Sequence, residues 1–426
     1  MKAKLLDDCF LHDKDRLLHK EALAILKERV RPIVETETVP LADALGRIAA
    51  APILAPRPIP AHANAAVDGY AFAYSDYDPV RGSQLKVGGR AAAGHALHHP
   101  LDANEAARIF TGATMPDGAD TVIMQEDVTL TSSGADRLAA FPPGLKAGAN
   151  RRLAGEDVKA GDIVLSAGER LRPQDVAAIA AAGFGAVECF ARLKVAIISS
   201  GDEVIRAGDP FEPGKVYDSN APMLVALAKL AGAESEDLGV MPDDADAVAQ
   251  QLRSAAERFD VLITTGGASR GEEDHVVKTL DALGKLRMWQ LAIKPGRPMA
   301  FGQIGDCVVL GLPGNPVAVF VCFLLYAHPL IAALGGGRWR EPRRFRLPAA
   351  FSLGKRKTGR REFWRGRIVE GAEGELTVAK FERDGSGLIT SLRESDGLIE
   401  IPEDVAAVSI TDPVNFIPYA EFGILS

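Results

Sequence analysis

The chain has 426 residues, 47% apolar and 25% charged, and its 49 basic and 57 acidic residues give a net charge of −8. At about 100–200 residues per domain that length implies two to four domains, and the composition excludes wholesale disorder, a collagen-like chain and a protein that coats DNA through overall positive charge. Four dispersed cysteines (Cys9, Cys189, Cys307, Cys322) include no CxxC pair, which argues against a zinc ribbon or a disulfide framework and suits a reducing, cytoplasmic setting.

Residues 1–26 carry charge throughout, without an apolar run of signal-peptide length, and no stretch is read as approaching the ~18 uncharged residues of a membrane span. Leu17, Leu18, Ala22, Ile25, Leu26 and Val30 recur at helical spacing and predict an amphipathic helix over 15–30. From 54 to 154, short β-like runs alternate with Gly, Pro and Asp turns, so a β-rich domain is expected there. Over 155–190 the pattern returns to helix, with Pro173 suited to a first turn and Gly183 to a stop. This assigns 1–53 and 155–190 to one discontinuous helical arm interrupted by the β-rich insertion.

Beyond 191 strand and helix alternate. Continuous apolar runs at 193–199, 259–265 and 308–312 suit buried parallel strands, with a further strand at 235–240. Helices are expected from Asn220 and Pro222 to Gly232, over 244–258, near 272–283 and over 316–334. The fold class is therefore multidomain α/β plus β, with a doubly wound α/β domain over 191–337 and a C-terminal β domain over 338–426.

In open α/β sheets ligands bind beyond the carboxyl ends of the strands. Four segments fall there: SSGDE at 199–203, MPDD at 241–244, TTGGASRGEED at 264–274 and LPGNP at 312–316. Gly266 and Gly267 allow a tight turn between strand and helix, whose N–H groups suit an anion. Asp202, Glu203, Asp243, Asp244 and Asp274 could each be a cap or a solvated acid. Acids from three strand ends at one edge favour a shared cation, and oxygen-only ligands favour Mg²⁺, with Glu203, Asp243 and Asp274 the expected metal ligands. LPGNP reads equally as a rigid turn with Pro316 opening a helix, and Lys294 and Arg297 place two cations on another Pro-Gly turn. Between Arg338 and Arg367 twelve Lys or Arg face only Glu341 and Glu362, a local charge of +10. A solvated face, a nucleic-acid arm and an oxyanion-binding wall all remain readings of it. AVDGYAF reads as a hairpin, and His95, His98 and His99 as a surface loop.

The strings NAAVDGYAF, IFTGATMPDGADTVIMQED, RLAGEDV, SSGDEV, VYDSN, TTGGASRGEEDH, AIKPGRP and GLPGNPVAVF together resemble the molybdopterin molybdenumtransferase family, which includes the E domain of gephyrin. The resemblance runs over about residues 15–420. It implies a homodimer of elongated subunits with a helical arm, a β-rich insertion, an α/β domain similar to molybdopterin adenylyltransferases, and a C-terminal β-barrel. It implies a reaction that takes adenylylated molybdopterin and molybdate, releases AMP and loads molybdenum, assisted by Mg²⁺. Catalytic positions carried over are Asp68, Thr111, Asp157, Glu203, Asp243 and Asp274. Substrate-binding positions are Gly266, Gly267, Ser269, Lys294, Arg297, Pro313, Gly314, Asn315, Pro316, Arg365 and Ser386. Gln290 stands where many members carry a second lysine. Asp68 and Thr111 lie far in sequence from the α/β edge, so each active site is expected to be shared between two subunits. Other proteins of the molybdenum cofactor pathway are expected partners; nucleic acid and membrane are not. A non-catalytic scaffold on the same fold and a molybdopterin adenylyltransferase are the rival readings, and molybdate and tungstate are too nearly isosteric to separate.

Overall fold

A computed structural model of the chain describes residues 16–133, 136–241, 244–266, 279 and 282–425. The first helix, α1 (His19–Arg29), is shorter than the 15–30 periodicity predicts. Glu21 accepts the Leu18 N–H at 2.9 Å at its start, and Lys27 and Arg29 complement the dipole at its end. Its buried face, Ala22, Leu23 and Leu26, packs into a core shared with Val195, Leu224, Tyr326 and Phe363, so α1 is built into the α/β unit and not into the arm.

The arm is largely β among the described residues. Strand β1 (Thr36–Pro40) enters it, and Ile53–Leu54 pairs with Ile163–Leu165. The chain then forms a six-stranded sheet from β2 (Gly69–Phe72), β3 (Ser83–Ala91), β4 (Glu105–Ile109), β5 (Thr121–Met124), β6 (Thr129–Ser133) and β7 (Asp136–Phe141), in the order β5-β2-β4-β3-β7-β6. Only β3 and β4 run parallel. Returning to the arm, α2 (Pro173–Ala182) begins with Pro173 and stops where Gly183 takes φ +96°; β8 (Ala186–Phe190) then pairs with β1. Val39, Leu165, Leu171, Ile179 and Val187 fill the arm's own small core.

The next unit is an α/β sheet of β9 (Lys194–Ser199), α3 (Asn220–Leu230), β10 (Glu234–Val240), α4 (Ala245–Arg258), β11 (Val261–Thr265), β12 (Lys285–Gln290), β13 (Ile293–Lys294), β14 (Pro298–Ile304) and β15 (Cys307–Leu312). Its strand order is β10-β9-β11-β15-β14-β12, with β13 leaving to pair elsewhere. The first four are parallel, and β14 and β12 add an antiparallel edge that the sequence does not predict. One face is covered by α1, α3 and a long apolar helix, and the other by α4. Burial on both faces explains the continuous apolar runs. The helix expected near 272–283 lies mostly outside the described residues.

That long helix comprises α5 (Pro316–Cys322), a π turn at Phe323–Ala327 and α6 (His328–Leu334). It corrects the membrane reading of the sequence, because Pro316–Leu334 is 19 residues with a mean hydropathy of 2.3, long and apolar enough to cross a bilayer. Here 89% of its most apolar 18 residues is buried inside the protein, which makes it the spine of the α/β core.

The C-terminal unit contains β16 (Phe345–Pro348), β17 (Arg361–Glu370), β18 (Leu376–Lys380), β19 (Gly397–Ile401) and β20 (Pro413–Pro418). With β13 they form the order β13-β17-β19-β20-β16, and β18 pairs with the other end of β17. A bridge between Ala349 and Val378 joins the chain after β16 to β18. Since β13 is borrowed from the α/β unit, the two units meet along a shared strand pair, and this fixes the walls of the cavity between them.

Candidate functional site

Because β9, β11 and β15 run parallel, their last residues Ser199, Thr265 and Leu312 end at one edge, and the turns that follow are neighbours. Gly266 adopts φ +100°, and a Cβ there would lie 2.5 Å from the Ser200 carbonyl oxygen, so glycine alone fits. The Pro313–Asn315 turn is held by Asn220, whose Nδ2 donates to the Gly314 carbonyl at 2.7 Å. Asp218 fixes Asn220 in turn, with Oδ1 accepting the N–H groups of Asn220 and Ala221 at 3.0 Å each. Pro316 opens α5, and the Val317 N–H donates to the Ser386 carbonyl at 3.0 Å, tying this edge to the C-terminal unit.

Between these turns and β17 lies a cavity of about 470 Å³. Gly266, Pro313, Gly314 and Asn315 form one wall, and Lys294, Arg297, Arg365 and Ser386 line the others. Lys294 and Arg297 are exposed at its rim and have no ion-pair partner among the described residues. Arg365 is only 7% exposed, and its Nε donates to Ser391 Oγ at 3.0 Å while Nη2 reaches the carbonyls of Arg383 and Gly385 at 3.3 Å. Burial lowers its pKa from the ordinary arginine value, with Tyr419 and Asp384 opposing; the guanidinium stays charged. Asp384 also lines the cavity, and Lys380 Nζ holds its carboxylate at 2.6 Å while lying 4.9 Å over the Trp364 ring. Three cations against one neutralised acid make this a chamber for anions.

Sequence reasoning missed Asp384 and Asn220, although the strings DGS and VYDSN carry them. Gln290 is half-buried and does not line the cavity, where Lys294 and Arg297 supply the rim charge.

The basic segment over 338–367 divides in the structure between paired, exposed and cavity-lining residues. Arg344 and Arg361 are paired with buried Glu400 at 2.8 and 2.7 Å, and Arg361 also with Glu403 at 2.8 Å. Arg356 and Arg360 face Glu362, Arg338 faces Glu169 and Arg343 faces Glu421. Acids pair six of the twelve basic residues, Arg340, Arg346, Lys355, Lys357 and Arg367 stay exposed without an ion pair among the described residues, and Arg365 is the member of the run that lines the cavity.

Glu203 lies exposed just beyond β9, on the same edge as the cavity. Asp243, Gly267, Ser269 and Asp274 lie outside the described residues, and among the described residues there is no group of three His, Cys, Asp or Glu placed to hold a metal ion. Asp68 and Thr111 meet in the inserted sheet because β2 and β4 are antiparallel neighbours. The Thr111 N–H and hydroxyl donate to Asp68 Oδ1 at 2.8 and 2.7 Å. These bonds, the backbone one foremost, hold the Asp68 carboxyl below the usual range, with Arg108 adding to the effect. Asp157 is exposed in the connection to the arm, where its N–H donates to the Ile59 carbonyl at 3.1 Å. None of these three lines the cavity of its own chain.

Family models match the chain in three stretches: the MoeA N-terminal region (domain I and II) over 18–183, a probable molybdopterin binding domain over 196–333, and the MoeA C-terminal region (domain IV) over 346–419. The molybdopterin molybdenumtransferase of Haemophilus influenzae is 36% identical over 90% of this chain and 94% of its own length. Molybdopterin molybdenumtransferase 2 of Mycobacterium tuberculosis is 33% identical, over 92% and 96%. A crystal structure of a molybdopterin biosynthesis MoeA protein from Pyrococcus horikoshii OT3 is similar at a TM-score of 0.80 and 31% identity, covering 95% of this chain and 100% of that one. The chain belongs to the molybdopterin molybdenumtransferase family, enzymes of molybdenum cofactor biosynthesis.

Proposed function

We propose that the chain inserts molybdenum from molybdate into adenylylated molybdopterin with release of AMP, and that the cavity at the α/β edge receives the oxyanions. The observation that carries this reading is the convergence of Lys294, Arg297 and Arg365 on one cavity, two of them without an ion-pair partner among the described residues. Charge-assisted contacts from such groups bind molybdate and phosphate alike, and the buried fork of Arg365 adds direction to charge. The turns at Gly266 and Pro313–Asn315 shape the facing wall.

Mg²⁺ usually keeps several waters and takes only one or two protein carboxylates beside substrate phosphates. Glu203 supplies one hard, exposed carboxylate at this edge, so the described residues fit such an ion, and Asp243 and Asp274 are the expected partners. Bound there, Mg²⁺ would neutralise phosphate charge as the phosphoanhydride breaks. Asp68 and Thr111 belong in this reading to the cavity of a second copy, which is supported by their absence from their own. The strand order of the C-terminal unit and the Ala349–Val378 bridge support reading that unit as a barrel. The dispersed cysteines support a cytoplasmic enzyme.

The test is AMP release by purified protein given adenylylated molybdopterin and Mg²⁺, with and without molybdate. Release that depends on molybdate is expected; pterin that keeps its adenylyl group in every mixture would overturn the proposal.

A further inference from the structure

On the inserted sheet, away from the cavity just described, two guanidinium groups stand over the Phe110 ring. The Cζ atoms of Arg90 and Arg108 each stand 4.7 Å from its ring centroid, and Arg108 is also 5.2 Å from the centroid of Tyr70. Strand register builds this stack, since Tyr70 on β2 and Arg90 on β3 both pair with Arg108 on β4. Stacking on rings fixes the guanidinium planes in advance.

Tyr70, Arg90, Arg108, Gln125 and Arg137 line a groove of about 540 Å³, whose apolar part is Val87, Val128 and Leu130. No Asp or Glu lines it among the described residues. Arg108 donates to neutral acceptors, the Gly69 carbonyl and Gln125 Oε1, while Arg90 and Arg137 are exposed without an ion pair among the described residues. The arrangement differs from Arg47–Glu37, Arg172–Asp175 and Arg206–Asp237, where arginines of the same chain meet carboxylates. Arg108 is near enough to Asp68 to lower its pKa, but Arg90 and Arg137 line the groove without an acid beside them there, and like charges held together favour an anion that joins them. The volume lies in the range of small-ligand sites, and the apolar strip beside the cations suits the face of a ring.

We propose that this groove is a second phosphoanion site, taking a phosphomonoester carried on a planar base, such as a nucleoside monophosphate. The phosphate lies against Arg90 and Arg137, and the base covers Val87, Val128 and Leu130. The proposal rests on the groove alone, not on the reading of the Lys294 cavity.

The experiment is calorimetric titration of AMP into the full chain carrying Lys294→Gln and Arg297→Gln, which removes the rim charge of the other cavity. AMP is expected to bind this protein, and Arg90→Gln and Arg137→Gln are each expected to weaken it about tenfold. Adenosine and ribose 5-phosphate, tested separately, are each expected to bind more weakly than AMP. Both arginines are exposed, so unchanged thermal melting is expected. AMP affinity unchanged in the Arg90→Gln/Arg137→Gln protein, or no AMP binding to the Lys294→Gln/Arg297→Gln protein, would overturn the proposal. Molybdate binding in the groove as tightly as AMP would also overturn it, because a bare oxyanion would then suffice. The readout is AMP affinity and not molybdenum insertion, so failure here leaves the molybdate reading standing, and the reverse holds too.

Discussion

Arg365→Gln isolates the one buried cation of the cavity. The side chain is 7% exposed and already gives its Nε to Ser391 and its Nη2 to two carbonyls, so its position does not depend on ligand. Glutamine loses the charge and cannot span these acceptors together. A charge-assisted contact to an oxyanion contributes roughly 1.5–3 kcal/mol, so molybdate affinity should fall about tenfold to a hundredfold. The lost turn contacts, two of them long, should cost a further 1–3 kcal/mol or so of folding stability. The assay is calorimetric titration of molybdate, with urea unfolding in parallel to separate the two effects. Arg365→Lys keeps the charge without the fork and should recover part of the affinity but little of the stability. Being buried, the Arg365 contact should also resist added salt better than those of exposed Lys294 and Arg297. Wild-type molybdate affinity in Arg365→Gln would refute the reasoning, whatever its stability.

Glu400→Gln leaves the guanidinium groups of Arg344 and Arg361 without their buried partner and should destabilise the protein by about 3–5 kcal/mol in urea unfolding; a loss below about 1 kcal/mol would contradict that. His19 is 1% exposed, its Nδ1 shares a 2.8 Å hydrogen bond with the Tyr326 hydroxyl, and burial, with Arg361 adding, pushes its pKa down to about 3. The folded chain refuses a proton that the unfolded chain accepts near 6.5, so this stability is present above pH 6.5 and is lost as pH falls toward 3, by about 1.4 kcal/mol per unit. Unfolding of His19→Gln should lack that component, and an unaltered pH slope would contradict it. Co-refolding inactive Asp68→Asn with inactive Glu203→Gln should restore about a quarter of wild-type activity if sites are shared, because about half the dimers are mixed and each holds one intact site. No recovery, with mixed dimers confirmed by native mass, would refute sharing.

The α/β unit was legible because burial on both faces of β9, β11 and β15 leaves continuous apolar runs that few other structures need. Its antiparallel edge was not, since Lys285, Arg287 and Gln290 on β12 interrupt any apolar pattern. Position 316–334 shows the converse limit, because the apolar stretch that fills a core helix also satisfies the length and composition of a membrane helix. The arm read as helical because alanine-rich α2 dominated it, while the short strands around it depend on distant pairing. At the site, the Gly and Pro turns announced themselves by local backbone demands. The basic segment could not be divided by counting, because charge counted along the chain omits Glu400 and Glu403, which reach Arg344 and Arg361 only in the fold. Asn220 and Asp384 escaped for the same reason, as their roles arise from contacts with Gly314 and with the cavity.

The most direct test of the central claim is the location of the oxyanion itself. Crystals of the protein soaked in molybdate, with diffraction recorded at the molybdenum absorption edge, should show an anomalous peak between Lys294, Arg297 and Arg365. Repetition with tungstate should place its peak at the same point. A peak elsewhere on the chain, or none in the cavity at a molybdate concentration that saturates AMP release, would contradict the account.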